Sequence, residues 1–151
     1  MKIYNSDGVE LCDTDDVPRD GHLGSIDLSG RDLRAAVLQG AELGGANLSC
    51  ANLQAADLYW AILFTADLSG ADLRGANLCG ADLKEANLET ADLRDANLGR
   101  DNLNGSTQLQ GARLVETQLS GAVLTGAEYN ETTIFPHGFD PDAAGMVKAA
   151  A

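Results

Sequence analysis

Residues 66–90 read ADLSGADLRGANLCGADLKEANLET, five copies of one pentad, Ala-(Asp/Asn)-Leu-x-x. The leucine recurs on every fifth residue from Leu23 to Leu103, seventeen times without a miss. Alanine stands two places ahead of it in thirteen of those pentads. Five residues advance an α-helix by about 500°, or about 140° past a full turn, so helical leucines would spiral round the axis and form no face. In a flat strand an odd period sends successive leucines to opposite sides. All seventeen point inward only if the chain turns a corner once per pentad. The outcome is a coil with leucines on its axis. The alanine slot fits, because a second inward position beside packed leucine has room only for a small side chain. Gly30, Gly40, Gly45, Gly70, Gly75, Gly80 and Gly105 fall after the leucine, where the corner forms.

Runs such as ANLSCANLQAADL (46–58) and the stretch quoted above closely resemble the pentapeptide repeat family. The resemblance covers roughly residues 21 to 136. It implies an all-β fold: a right-handed quadrilateral β-helix, a solenoid with four pentads per coil and about six coils. It does not imply one activity. The understood members act by binding, so the chain is expected to be a non-enzymatic, rigid protein-interaction scaffold whose partner the sequence does not name. The alternative is an acidic DNA mimic that binds DNA gyrase or another topoisomerase, since gyrase-protecting members look like a B-form duplex in width and charge. Against it, Arg34, Arg74 and Arg94 interrupt the negative face, and no C-terminal dimerisation helix is evident.

With 151 residues the chain is long enough for one domain, and its net charge is −13. That charge argues against direct nucleic-acid binding, which needs a basic footprint, and it suits a basic partner. The sequence shows no signal-peptide pattern and no apolar run long enough for a membrane span. Cys12, Cys50 and Cys79 make an odd count without metal-ligand spacing, and Cys50 and Cys79 fall on different sides of the coil. The expected setting is a reducing cytoplasm with free thiols.

Residues 1–20 lie outside the period and read as an N-terminal cap, a small hairpin turning at Ser6-Asp7-Gly8. The repeat is expected over 21–136, with Ile26 and Arg31 in inward slots of the first coil. Leu103 and Leu109 are six apart, which places one extra residue within 104–107. Asp101 takes the usual alanine slot just before, so a bulged corner is expected there, with Asp101 bonding the backbone groups that the insertion frees. The phase then resumes through Leu109, Leu114, Leu119, Leu124, Tyr129 and Ile134. Residues 137–151 read as a C-terminal cap and tail. Asp140-Pro141 is expected to start a short helix with the aspartate as cap, and 147–151 to trail loosely.

Stacked modulo twenty, the Asp/Asn slots form columns in which Asp72 over Asp92 is the one like-charged pair of carboxylates. Arg74 and Arg94, two places on, are expected to neutralise them, leaving no cation site. The most unusual segment is 57–65, DLYWAILFT. Tyr59, Trp60, Ile62 and Phe64 take outward positions there and form the candidate protein-interaction patch, with weak self-association as one use. The bland alternative lays the rings over the glycines stacked against them, Gly40, Gly80 and Gly44. No catalytic, cofactor-binding or metal-binding constellation emerges. His22 and His137 lie near opposite ends.

Overall fold

The computed structural model describes residues 2–13 and 26–150. The first expected pentad, which holds His22 and Leu23, and residues 14–20 of the expected N-terminal cap lie outside the described residues. From residue 27 to 97 each outward slot pairs in parallel with the one twenty residues on: Asp27 with Asn47, Asp32 with Asn52, Val37 with Asp57, Glu42 with Ile62. Four pentads therefore make one coil with four walls. Leu28, Leu48, Leu68, Leu88 and Leu114 run up the first wall and Leu33, Leu53, Leu73 and Leu93 up the second. Leu38, Leu58, Leu78, Leu98 and Leu124 run up the third wall, and Leu43, Leu63, Leu83 and Leu109 up the fourth. All of them are buried, together with the alanines two places ahead from Ala46 to Ala96. Each buried leucine contributes about 1.5–3 kcal/mol from removal of apolar surface from water.

A census of one pentad's five amides explains the consensus. The alanine amide closes a turn on the preceding leucine carbonyl, as Ala56 does on Leu53. The Asp/Asn amide donates to the coil below (Asp57 to Ala36), and the leucine amide donates to the coil above (Leu58 to Asn77). The second residue after leucine also donates upward, as Trp60 does to Cys79. That leaves the residue just after leucine, whose amide faces out with no backbone acceptor. The Asp/Asn side chain accepts it: Ser49 to Asn47, Arg74 to Asp72, Lys84 to Asp82 and Glu89 to Asn87, at 3.1–3.2 Å. An unpaired amide is costly wherever water is excluded, and this explains why the slot selects an Asx side chain. The corner residue itself has positive φ, at glycines such as Gly70 and Gly75 but also at Ala55, Trp60, Thr65 and Asp95.

Both ends are closed by non-repeat chain. Strand β1 (Lys2–Tyr4) pairs antiparallel with β2 (Glu10–Asp13). Its edge docks on the first coil, where the Val37 amide donates to the Tyr4 carbonyl at 2.8 Å, and Ile3 is buried over the leucine column. Arg31, expected in an inward slot of the first coil, is exposed instead. At the other end β3 (Glu128–Tyr129) pairs in parallel with β4 (Val147–Lys148). The expected loose tail is therefore corrected over 147–149. Those residues add a last rung, with the amides of Val147 and Ala149 donating to the carbonyls of Ala127 and Tyr129. Met146 is buried beneath that rung; Tyr129 meets Phe135 edge to face at 5.5 Å between ring centres, and Phe135 stacks on Phe139 at 5.1 Å. Asp140 accepts the amides of Asp142 and Ala143, the capping expected of it, over a single turn rather than a helix.

Two register readings are corrected as well. Across the expected one-residue bulge, Asp82 pairs with Gln108 and Asn97 with Val123, each twenty-six residues apart instead of twenty. Six residues, 101–106, thus leave the stack. Leu103, expected on the axis, is 80% exposed. Further on, Ile134 pairs with Arg113, which puts Ile134 in the outward slot and turns Phe135 inward.

Candidate interaction surface

Six residues leave the stack because of what fills the inward slot. Placing Asp101 in an alanine position would bury a carboxylate among leucines, at a cost of several kcal/mol. Thr107 takes the slot instead. It is fully buried, and its hydroxyl donates to the Leu78 carbonyl at 2.8 Å, on the preceding wall one coil down. Thr117 and Thr133 fill later alanine slots in the same way, donating to Leu88 and Leu109. Threonine fits there because its one polar hydrogen finds a carbonyl.

Outside the stack, Asp101 organises the loop. Its Oδ1 accepts the amides of Leu103 and Gly105 at 2.8 and 2.5 Å, which is the backbone bonding expected of it. Its Oδ2 accepts two further donors, the Tyr59 hydroxyl at 2.9 Å and Trp60 Nε1 at 2.8 Å, from the coil below. The Trp60 bond foremost, then the Gly105 amide and Tyr59, hold the Asp101 carboxyl below the usual carboxylate range; the hydrogen bond to that carboxyl raises the Tyr59 phenol. Trp60 lies over two glycines: a β-carbon on Gly80 would come within 2.7 Å of Nε1, and one on Gly105 would overlap Cζ2. The indole therefore joins the loop to the corner between the third and fourth walls.

The four candidate residues separate into two pairs. Tyr59 and Trp60 meet edge to face at 6.4 Å, and Asp101 claims the polar atom of each. Ile62 and Phe64 stand round the corner on the fourth wall, each 42% exposed, and no comparable bond fixes them. Ile62 occupies an Asx slot between Glu42 below and Asp82 above. With isoleucine there, the Phe64 amide has no side-chain acceptor, unlike its counterparts in the neighbouring pentads. Gly40 has open space around it, and Gly44 faces only the Phe64 carbonyl. Of the three glycines expected under the rings, only Gly80 carries one.

The second wall contrasts with this corner. Arg34, Arg74 and Arg94 each grip the aspartate two places back with Nε and Nη2, at 2.6–2.9 Å. Arg74 also reaches Asp92 one coil up, at 3.7 Å. Its own guanidinium, with help from Gln54, lowers the Asp72 carboxyl to about 2. The carboxylates that stack there are held by guanidinium, as the spacing implied. Cys12, Cys50 and Cys79 are free thiols. Cys79 lies buried in the column above Tyr59, and burial pushes its thiol up.

Pentapeptide repeats match this chain in eight copies, over residues 26–63, 61–100 and 102–129. A pentapeptide repeat protein of Nostoc PCC 7120, alr5209, is 35% identical over 83% of this chain and 87% of its own, with a TM-score of 0.29. A pentapeptide repeat protein of the Arabidopsis thaliana thylakoid lumen, AT2G44920, is 32% identical over 78% of this chain and 68% of its own, with a TM-score of 0.39. QnrB1, a plasmid-mediated fluoroquinolone resistance protein, is 18% identical over 88% of each chain, with a TM-score of 0.41. Among curated proteins none matches. The five-residue period and the eight matched repeats, which span most of residues 26–129, agree: the chain belongs to the pentapeptide repeat family.

Proposed function

We propose that this chain is a non-catalytic, right-handed rod of about six coils that binds a protein partner in the cytoplasm, and that Ile62 and Phe64, with Trp60 at the corner beside them, form the contact. One observation carries this reading. At Ile62 the repeat gives up an Asx side chain that would cap the Phe64 amide, and puts two apolar side chains into solvent instead. Neither side chain fills the core, and aromatic and aliphatic groups at the centre of a rigid face are what interfaces use. A solenoid supplies such a face at low entropic cost, because each wall is fixed before the partner arrives.

The gyrase-directed DNA-mimic reading is less well supported. A mimic of duplex charge needs unmasked rows of carboxylates, and on the second wall Asp32, Asp72 and Asp92 are each gripped by arginine. Self-association through the patch opposes two chains of net charge −13. The test is affinity capture from the source cell with the native rod and with Ile62→Asn/Phe64→Ser, the variant first shown to melt no lower than the parent. A protein retained by the first and lost from the second is expected. Equal retention by both removes the patch from the interaction.

A further inference from the structure

The extruded loop also makes a cleft of about 610 Å³ against the third wall. Asn77, Cys79 and Asn97 form its floor, Tyr59 one side, and Arg100 with the loop residues 101–103 the other. Its polar groups fall into two sets. Asp101 has both oxygens filled by four donors. Asn77 is also committed, its Oδ1 to the Cys79 amide and its Nδ2 to Asp57. The groups left over are donors. Asn97 uses only Oδ1, on the Gly99 amide, and its Nδ2 is free. The Asn102 carboxamide is exposed and has no partner among the described residues. Above all, the Arg100 guanidinium has no carboxylate within reach among the described residues, whereas Arg34, Arg74, Arg94 and Arg113 each hold one. Arg31, at the opposite end of the rod, is the other such arginine among the described residues. The Arg100 stem is seated: a β-carbon on Gly126 would meet its Cβ at 3.0 Å and its Nε at 3.2 Å. Beside these donors Leu103 stands 80% exposed on a loop that Asp101 ties down.

We propose that this cleft binds an extended segment of a partner protein that carries a carboxylate next to an apolar side chain. The carboxylate pairs with Arg100 and the free amide of Asn97, and the apolar side chain packs on Leu103. Unmatched donors select the occupant. The Asp101 carboxylate on the same rim is already filled by its four donors, whereas Arg100 is unmatched, and the other guanidinia in the middle of the rod are already paired. Arginine also presents two parallel donors that match a carboxylate. The leucine points to a segment larger than the cleft, since a small acid lodged on the floor would leave it bare. The proposal rests on the reading of the chain as a protein-binding rod, but it concerns a different wall from Ile62 and Phe64.

The test needs no knowledge of the natural partner. The full chain, labelled with ¹⁵N, is titrated with acetyl-Leu-Asp-Leu-amide, acetyl-Leu-Asn-Leu-amide and acetyl-Leu-Lys-Leu-amide. Saturable shifts confined to the amides around the cleft, 59, 77–79 and 97–107, are expected with the aspartyl peptide, at least about tenfold weaker with the other two. Arg100→Gln and Leu103→Ala should each weaken the aspartyl peptide by a similar factor while the remaining amide spectrum stays unchanged. Equal shifts with the asparaginyl or lysyl peptide, no shifts at all, or shifts that survive Arg100→Gln overturn the proposal. Loss of partner capture in Ile62→Asn/Phe64→Ser is a separate result, so the two readings fail separately.

Discussion

Leu98 and Leu103 sit five residues apart in the same phase of the same repeat, Ala-Asn-Leu and Asp-Asn-Leu. The first is fully buried on the axis and the second is 80% exposed. Local pattern alone does not separate them. What differs is the inward slot two places ahead, alanine in one pentad and aspartate in the other. An axial leucine goes inside only if its neighbour can go with it, so the fate of a whole pentad turns on one small side chain. The ejected pentad is not wasted structure: its aspartate gathers two amides, a phenol and an indole into one joint.

The largest effect should come from shortening the first of those two leucines and not the second. Leu98→Ala is expected to cost about 2–5 kcal/mol in a urea melt, since it leaves a cavity in a packed stack. Leu103→Ala should stay within about 0.5 kcal/mol of the parent. Equal losses would put Leu103 back on the axis. Deletion of 101–106 sharpens the contrast. It joins Arg100 directly to Thr107 and restores an unbroken five-residue phase from Leu98 to Leu109. The rod should still melt cooperatively, with a penalty of about 1–2 kcal/mol for putting Arg100 into a left-handed corner. An unfolded deletion would mean that the loop holds the rod together.

Next in size is Thr107. Replacing it with valine keeps the shape of the inward side chain but removes the donor to the Leu78 carbonyl, which also accepts the Ala81 amide at 3.0 Å. A loss of about 1 kcal/mol is expected. No loss at all would mean that threonine occupies the slot for its size alone.

Much of this was legible in advance. The period required a corner per pentad, the small inward slot was read from its alanines, and the arginine–aspartate pairs followed from stacking by twenty. The joint at Asp101 was half visible, as an acidic residue in a slot that cannot hold one. Its depth was not, because insertions of one residue and of six leave the same phase in a repeat of five. Only the pairing of Asp82 with Gln108 separates them. The same ambiguity hid Phe135 behind Ile134, two adjacent apolar residues either of which fits the axis. Tyr59 and Trp60 read from the sequence as outward and aromatic, but the reason they lie where they do is 42 and 41 residues away in Asp101. Sequence proximity carries no trace of it.

A smaller effect, and of opposite sign, is expected on the fourth wall. Ile62→Asn supplies the acceptor that the Phe64 amide lacks, so the repeat's own logic predicts a gain of about 0.5–1 kcal/mol. Removal of an exposed isoleucine should offset little of it. If the wall is built for binding, the same change weakens partner capture while it raises the melting temperature. A variant that loses both stability and binding would show that Ile62 is there for packing.

The smallest expected effect is one of pH, and it separates the two walls by charge instead of by shape. Asp72 is held at about 2, against 3.8 when free, chiefly by Arg74. Its folded-state carboxyl is depressed, so its contribution is complete above pH 3.8 and is lost as pH falls through about 2. Because the pair is mostly solvated, the energy involved is small and falls further with salt. Asp72→Asn should therefore flatten the acid limb of the stability curve between those two values at low ionic strength, and leave the curve near pH 7 lowered by less than about 1 kcal/mol. Changes at Ile62 should not move that limb, since neither it nor Phe64 titrates. An unaltered acid limb in Asp72→Asn would mean that the Arg74 pair decorates the second wall without stabilising it, and that other depressed carboxylates, such as Asp92 and Asp101, set where the rod unfolds in acid.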